Sequence, residues 1–309
     1  MSEFSKNNLE GEANNVIEIW KQSPVFLASS SEFRLNSLKK IGFKNIRTIA
    51  APESVEHSTL SDIINSPGGD IYNKHSCSAP ADIAQAKIEY LLQHNNVPKD
   101  AFVCAVDTMP VMFRFNETET SSTPTHSGWY FEQQLPKPSS EEDAKKMIAN
   151  IIDSIKNGYL RFKKEYIEKR SPEFTGDKEV DLMQRIGYPP KNLRINTGVA
   201  IRLPNTADID TFTVELNLEP RAIYDIVDGK NPLTIEQLVE DVYTTMLEEG
   251  IDPKSVSGAI DYGNIKVRSI LGVTELKLTD DDFSEDVYFG FPKKQFLNYL
   301  KYKAKSSIS

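Results

Sequence analysis

The stretch "AFVCAVDT", Ala101 to Thr108, indicates the fold class more directly than any other part of the chain. Six apolar residues in succession are typical of a strand that is buried on both faces, as in a sheet covered by helices. Asp107 and Thr108 follow at once, which predicts that they stand at the carboxyl end of this strand. Ligands of open α/β sheets bind at that edge, so the pair is a candidate for function.

Strands and helices are both predicted around this stretch. Residues 25–28 predict a short buried strand, and the apolar spacing within 35–41 and within 82–93 predicts two helices. Farther along, every second residue of 195–203 and of 212–216 is apolar, apart from Thr197. This alternation predicts two adjacent strands, each with one face buried. We therefore expect an α/β protein with a mixed, twisted sheet and flanking helices.

The chain of 309 residues is long enough for one large domain with a substantial core. Residues 1–22 are mostly polar, and they are interpreted as a flexible N-terminal arm. The domain itself is expected to span 23–309. Tracts rich in turn formers, polar residues or charges indicate insertions near 61–80, 114–130 and 156–193.

The charge balance limits the classes of partner. Lys and Arg number 36 against 45 Asp and Glu, a net charge of −9, which argues against broad binding of nucleic acid. A small anionic substrate is compatible, because its pocket needs only a few local cations. The 2 cysteines predict no disulfide framework, and no segment approaches the length of a membrane span. A cytoplasmic protein with neither a membrane nor a nucleic-acid partner is expected.

The stretch "VFLASSSEFR", Val25 to Arg34, is a candidate anion site. A strand that ends in small hydroxyl residues before a helix presents backbone N–H groups at the helix start, and the serine hydroxyls add donors. Arg34, in the first turn, can reach back toward the same anion with several N–H groups. The alternative interpretation is a serine that caps the helix beside a solvated arginine.

Five further side chains are candidates for chemistry. Asp107 can hold a metal, activate a water or cap the following turn, and Thr108 can position a water or a phosphate. Lys87 lies beside the apolar face of its helix, where it is either functional or reaches out to solvent. Lys137, in "LPKPSS", stands on a loop stiffened by two prolines, and a solvated lysine is the alternative. Glu56 is predicted to lie in a loop.

The order of these segments resembles that of the Maf family of nucleoside-triphosphate pyrophosphatases. The resemblance runs from about Val25 to Leu300 and is carried by short blocks in the same order. These blocks are "LASSSEFRLNSLKKIGF", "PESVEHS", "ADIAQAKIEYL", "AVDTMPV", "LPKPSSEEDAKKMI", "NTGVAI", "TFTVEL", "SGAI" and "YFGFP".

The resemblance implies two lobes around a central cleft, a fold that the family shares with the inosine-triphosphate pyrophosphatases. It implies hydrolysis of nucleoside triphosphates, ordinary or modified, to a monophosphate and pyrophosphate with Mg²⁺ or Mn²⁺, and a homodimer as the usual state. The side chains that it places on the phosphates are Ser29, Ser31, Arg34 and Thr108. The catalytic residues that it implies are Asp107, Lys87 and Lys137, and the metal ligands are Glu56 and Asp107.

The chain departs from the family pattern at several places, among them Met109 and Pro110, which replace two valines. Glu32 and Phe33 stand where the family has a proline and an arginine, and no glutamine occurs near Asp261 and Gly263, where the family has a functional one. Loss of one charge-assisted hydrogen bond typically costs about 1.5–3 kcal/mol. Two hypotheses therefore stay open: a divergent metal-dependent pyrophosphatase, and a catalytically weak relative that binds a nucleotide or another protein.

Overall fold

The computed structural model describes residues 3–65, 75–115, 130–134, 140–162, 193–248, 273–275 and 290–308. In this part of the chain, seven strands form one mixed sheet. The strands are β1 Val25–Leu27, β2 Ile46–Thr48, β3 Phe102–Phe115, β4 Tyr130–Gln134, β5 Leu193–Arg202, β6 Asp210–Pro220 and β7 Val273–Glu275. The expected α/β class with a mixed sheet and flanking helices is confirmed.

Helices flank the sheet along most of the described chain. They are α1 Glu3–Gln22, α2 Glu32–Ile41, α3 Glu53–Asn65, α4 His75–His94, α5 Glu141–Phe162, α6 Arg221–Val227, α7 Ile235–Glu248 and α8 Lys293–Ile308. No helix among the described residues is both long enough and apolar enough to cross a membrane.

The sheet order is β2-β1-β3-β5-β6-β7, and β4 also pairs with β3. β1 runs parallel to residues 102–104, whereas β5 runs antiparallel to 103–112 along the other edge of β3. β4 pairs with residues 111–115, and it lies on the same edge as β1 because β5 already pairs with 111 and 112 on the other. Among the described strands, none pairs with residues 105–110 on the edge shared by β1 and β4.

The expectation that Asp107 ends its strand is wrong. β3 continues through Asp107 and Thr108 to Phe115, because β5 pairs with it in unbroken register past this point. Asp107 nevertheless lies beyond the end of β1, whose last residue, Leu27, is opposite Cys104. The pair at 107 and 108 therefore stands in the gap between β1 and β4.

Each face of the sheet is covered by a separate set of helices. α1, α2 and α8 pack on the face formed by alternate residues of the central strands, such as Leu27, Cys104 and Val199. α4 packs on the opposite face, against residues such as Phe26 and Val103. Burial raises the pKa of the Cys104 thiol to about 12, so it acts as a small apolar core residue.

The interpretation of residues 1–22 as a flexible arm is wrong. Residues from Glu3 onward form α1, and Ala13, Ile17 and Trp20 of this helix are buried in the core. These side chains recur at helical spacing on one face, which packs along α8. The N-terminal helix is therefore part of the domain.

The first and third expected insertions are partly helical, whereas the described ends of the middle one, 114–115 and 130, belong to strands β3 and β4. Near 61–80, α3 extends to Asn65 and α4 begins at His75, seven residues before the predicted start at Asp82. Near 156–193, α5 continues to Phe162. The remaining residues of those tracts, together with 116–129 of the middle one, lie outside the described residues.

A glycine brings α4 against the sheet. A Cβ atom on Gly198, opposite Asp107 in the β3–β5 register, would overlap backbone atoms of Pro80 and Ala81. The turn of α4 around Pro80 therefore packs directly on β5. This contact sets how closely the next two turns of α4 approach Asp107.

Candidate functional site

Arg34 is held by three hydrogen bonds from its guanidinium group. Its Nη1 donates to Ser29 Oγ at 3.3 Å, its Nη2 to Thr108 Oγ1 at 3.2 Å, and its Nε to the Gly290 carbonyl at 3.4 Å. The three acceptors come from distant parts of the chain: the end of β1, the middle of β3 and the residues before α8. Arg34 is partly buried there rather than solvated.

The serines that follow β1 shape the start of α2. Ser31 is the helix cap, because its Oγ accepts the backbone N–H of Arg34 at 3.4 Å. Ser29 Oγ in turn accepts the backbone N–H of Ser31 at 3.2 Å and also binds Arg34. The serine-cap interpretation is confirmed for Ser31, but its second half, a solvated arginine, is wrong.

Lys87 forms the centre of a second cluster on the other face of the sheet. Its Nζ lies 2.6 Å from Glu56 Oε1 and 2.6 Å from Asp107 Oδ1. Only 6% of Lys87 is exposed, because it shares the face of α4 that carries Ala84 and Ile88 against the sheet. The interpretation of Lys87 as a side chain reaching out to solvent is therefore wrong.

Glu56 reaches this cluster from a helix and not from the predicted loop. It lies in the first turn of α3, which packs against α4. Negative charge is favourable in the first turn of a helix, where the backbone N–H groups point outward. The buried ammonium of Lys87 is thereby paired with two carboxylates, which offsets the cost of its burial.

The two clusters lie on either side of one strand. Asp107 and Thr108 are neighbours on β3, so their side chains point to opposite faces of the sheet: Asp107 to Lys87, and Thr108 to Arg34. Burial lowers the pKa of Arg34, while the negative charges of Asp107 and Glu56 act in the opposite direction. The two clusters are therefore electrostatically coupled across the end of β1.

Most of the predicted site residues meet in these clusters. Those that the structure brings together are Ser29, Ser31, Arg34, Glu56, Lys87, Asp107 and Thr108. Lys137 lies outside the described residues, as does the region of Asp261 and Gly263. Among the described residues there is no cluster of three or more His, Cys, Asp or Glu side chains suited to a metal ion.

Two residues of the Arg34 cluster were not predicted from the sequence. Thr197 is directly opposite Thr108 on β5, and their hydroxyl oxygens are 3.3 Å apart. Gly290 has a positive φ of 74° and supplies the carbonyl that Arg34 contacts. Both lie in segments that resemble later family blocks, "NTGVAI" and "YFGFP", but a threonine and a glycine carry no charge that would single them out.

The two departures in the serine loop have different surroundings. Glu32 is exposed at the first position of α2, where an acidic side chain favours the helix start. Phe33 is partly buried and packs against the core that α1, α2 and α8 share. Phe33 is therefore a packing residue, and the candidate anion site at the start of α2 has one arginine among the described residues.

Comparison with known proteins adds no assignment. No protein-family model matches this chain, and no curated protein matches it either.

Proposed function

We propose that this chain is a metal-dependent nucleoside-triphosphate pyrophosphatase related to the Maf family. One observation carries the proposal: Arg34, surrounded by hydroxyl groups, contacts Thr108, and Lys87, paired with two carboxylates, contacts the preceding residue, Asp107. Together these groups offer cations and N–H or O–H donors for a polyphosphate, and oxygen ligands for a divalent metal.

The Arg34 cluster is proposed to bind the phosphates. Guanidinium groups bind phosphate oxygens through paired N–H donors. Ser29 and Ser31 use their oxygens as acceptors within the protein, which leaves each hydroxyl hydrogen able to donate to an anion. A net charge of −9 makes such a local group of donors necessary for binding an anionic substrate.

Glu56 and Asp107 fit the requirements of Mg²⁺ or Mn²⁺. Magnesium is commonly held by one or two carboxylates together with substrate phosphates. Both carboxylates lie 2.6 Å from the same Lys87 nitrogen, so they already face a single cation position. A metal bound by these two side chains would neutralise phosphate charge and lower the pKa of a bound water.

Asp107 is proposed as the base and Lys87 as its electrostatic partner. The oxygen of a water attacks the α-phosphorus, the bond from that phosphorus to the bridging oxygen breaks, and pyrophosphate leaves. The carboxylate of Asp107 accepts the proton of the water. Lys87 orients this carboxylate and stabilises the charge on the phosphoryl group, and Lys137 is proposed to stabilise the same charge.

The gap in the sheet supports the proposed two-lobed form. β1 and β4 pair with the same edge of β3 but leave residues 105–110 between them. We propose that this gap is the floor of the cleft between two lobes, as in the inosine-triphosphate-pyrophosphatase-like fold. Asp107 and Thr108 would then lie at this floor, with the Lys87 cluster on one side of β3 and the Arg34 cluster on the other.

A catalytically weak binding protein is the second candidate, and Phe33 favours it. The family has an arginine at this position, whereas Phe33 packs against the core. Fewer cations around a phosphate lower affinity and transition-state stabilisation alike. This candidate would bind a nucleotide or another protein without appreciable turnover.

The test is pyrophosphate release from a panel of ordinary and modified nucleoside triphosphates, with Mg²⁺ or Mn²⁺. We expect a metal-dependent release of pyrophosphate, with the nucleoside monophosphate as the second product. Release of orthophosphate in its place would contradict cleavage between the α and β phosphates. Measurable nucleotide binding without any hydrolysis would support the second candidate.

A further inference from the structure

We infer that Thr197 and Gly290 are positioning residues that orient Arg34, so that this one arginine serves as a two-donor receptor for a phosphate group. The inference rests on the proposed function for the identity of the anion. Its structural part stands on the contacts of Arg34 alone.

The guanidinium group has five N–H donors, and the protein uses three of them. One is the single N–H of Nε, which binds the Gly290 carbonyl, and the others are one on each terminal nitrogen. Within the described part of the chain, each terminal nitrogen retains one further N–H. Two such donors from one planar group match two oxygens of a phosphate.

Thr197 holds Thr108 Oγ1 in place, and this oxygen accepts the hydrogen bond from Arg34 Nη2. Thr197 is 1% exposed and lies directly opposite Thr108 in the β3–β5 register, with 3.3 Å between the two hydroxyl oxygens. Thr108 Oγ1 accepts the hydrogen bond from Arg34, and its bond with Thr197 holds the hydroxyl in the rotamer that does so. Thr197 therefore acts on Arg34 through Thr108.

Gly290 holds the Nε end of the Arg34 guanidinium group through its carbonyl. Its position requires a glycine for two reasons. Its φ of 74° lies in the left-handed region, which a side chain disfavours. A Cβ atom there would also overlap Thr108 Oγ1. The absence of a side chain lets the Gly290 carbonyl reach Arg34 Nε while Thr108 binds the same guanidinium.

These contacts explain how a site with one arginine could bind a phosphate group. A free arginine loses considerable side-chain entropy when it binds an anion, but Arg34 is already held at three points. The ligand class is a terminal or bridging phosphate group of a polyphosphate. Thr197 and Gly290 contribute orientation, and the charge comes from Arg34.

The test compares Thr197→Val with Thr197→Ser and with a control, Thr213→Val, on the neighbouring strand β6. The probe is inorganic triphosphate, measured by calorimetry, and steady-state hydrolysis is measured alongside. We expect Thr197→Val to weaken triphosphate binding ~3- to 10-fold and to raise KM similarly, with kcat within ~2-fold of wild type. Thr197→Ser, which keeps the hydroxyl, should restore wild-type values.

A purely structural role would give a different pattern. It would reduce the active fraction, which lowers kcat and leaves KM and triphosphate affinity unchanged, and that result would overturn the inference. An equal effect of Thr213→Val would also overturn it. Gly290→Ala is the second variant if Thr197→Val does not fold, and it is expected to weaken triphosphate binding at least as much.

The inference and the proposed function fail separately. Triphosphate binding that depends on Thr197, without pyrophosphate release from any nucleotide, supports the inference and contradicts the pyrophosphatase. Pyrophosphate release that is indifferent to Thr197→Val and Gly290→Ala contradicts the inference alone. Absence of triphosphate binding in the wild-type chain contradicts the inference, whereas the proposed function is decided by pyrophosphate release from nucleotides.

Discussion

The ammonium group of Lys87 lies between the carboxylates of Glu56 and Asp107, where a metal cation could bind instead. Glu56 and Asp107 each approach its nitrogen to 2.6 Å, and the lysine is almost fully buried. If these carboxylates are metal ligands, the ammonium group and the metal ion compete for them. The strength of metal binding by the free protein then depends on Lys87.

Lys87→Met tests this competition. The methionine keeps the unbranched apolar stem of the side chain but removes the charged end group, so the two carboxylates become available to a divalent ion. We expect Mn²⁺ to bind the variant at least ~10-fold more tightly than the wild-type chain in the absence of nucleotide. Calorimetry or the electron paramagnetic resonance signal of free Mn²⁺ measures this affinity. Pyrophosphate release should fall at the same time, because Lys87 no longer stabilises phosphoryl charge.

Lys303→Met is the matched control, because Lys303 also contacts a carboxylate, that of Asp210, away from the site. It should leave Mn²⁺ affinity unchanged. An unchanged affinity in Lys87→Met would show that Glu56 and Asp107 do not form the metal site.

The sequence singled out candidate residues but did not indicate their partners. Lys87 and Arg34 were candidates from their residue types and positions, but spacing within one helix does not show how deeply a lysine is buried. The depth of Lys87 depends on the close contact of α4 with Gly198, which comes from a distant part of the chain. For the same reason, Thr197 was not singled out, since its hydroxyl contact is with a residue on the neighbouring strand.

The polar composition of the first helix, α1, led to the wrong prediction that residues 1–22 are a flexible arm. Residues 1–15 are mostly polar, yet Ala13, Ile17 and Trp20 recur at helical spacing and are buried. A helix that covers one edge of a core needs only this narrow apolar stripe. The stripe was detectable in the sequence, although its docking partner, α8, stands at the other end of the chain.

Two isoleucines of α1 test whether this helix is part of the core. Ile17 is 6% exposed and Ile19 is 66% exposed. We expect Ile17→Ala to lower the free energy of unfolding by about 2–4 kcal/mol, because it leaves a cavity, and Ile19→Ala to change it by less than about 0.5 kcal/mol. Denaturant titration measures both. Equal, small effects would mean that residues 1–22 are an arm after all.

A carboxylate joins the last helix to the sheet. Asp210 of β6 accepts hydrogen bonds from Tyr299 at 2.6 Å and from Lys303 at 2.8 Å, both on α8. Burial acts to raise the pKa of Asp210, but these hydrogen bonds and the charge of Lys303 bring it below its ordinary value of 3.8. The folded protein therefore binds this proton less readily than the unfolded chain does.

This pKa predicts how the stability difference between the wild type and Asp210→Asn depends on pH. Because the folded pKa is lowered, the contribution of Asp210 is complete above the ordinary value of 3.8 and is lost as pH falls through the folded value. We expect Asp210→Asn to be less stable by about 1 kcal/mol at neutral pH, and the difference to shrink below about pH 4. Denaturant unfolding of both proteins at several pH values measures it. A difference that is constant or grows in acid would contradict this account.

The class of the fold was predictable, but the extent of its central strand was not. The apolar run 101–106 predicted a buried strand, and the alternation in 195–203 predicted its neighbour. Pairing with β5 and β4 extends β3 to Phe115, well past the acidic residue that was expected to end it. The length of β3 depends on its pairing with strands that are distant in sequence, and the pattern of residues within β3 does not indicate this pairing.

The described fold places the candidate site where the sheet changes its pairing. β1 stops at Leu27, β4 pairs with β3 only from Val111, and Asp107 lies between them. In this gap 13% of the Asp107 side chain is exposed, although the residue belongs to a central strand. The proposal that Asp107 activates the attacking water depends on this placement.

Pyrophosphate release by Asp107→Asn tests that proposal most directly. Asn keeps the shape of the side chain but can neither accept the proton nor hold the metal as a carboxylate does. With the best triphosphate and saturating metal, we predict a loss of ~10²- to 10⁴-fold in kcat/KM, while exposed Asp208→Asn stays at the wild-type level. Asp107→Asn that folds normally and releases pyrophosphate at the wild-type rate would contradict the account.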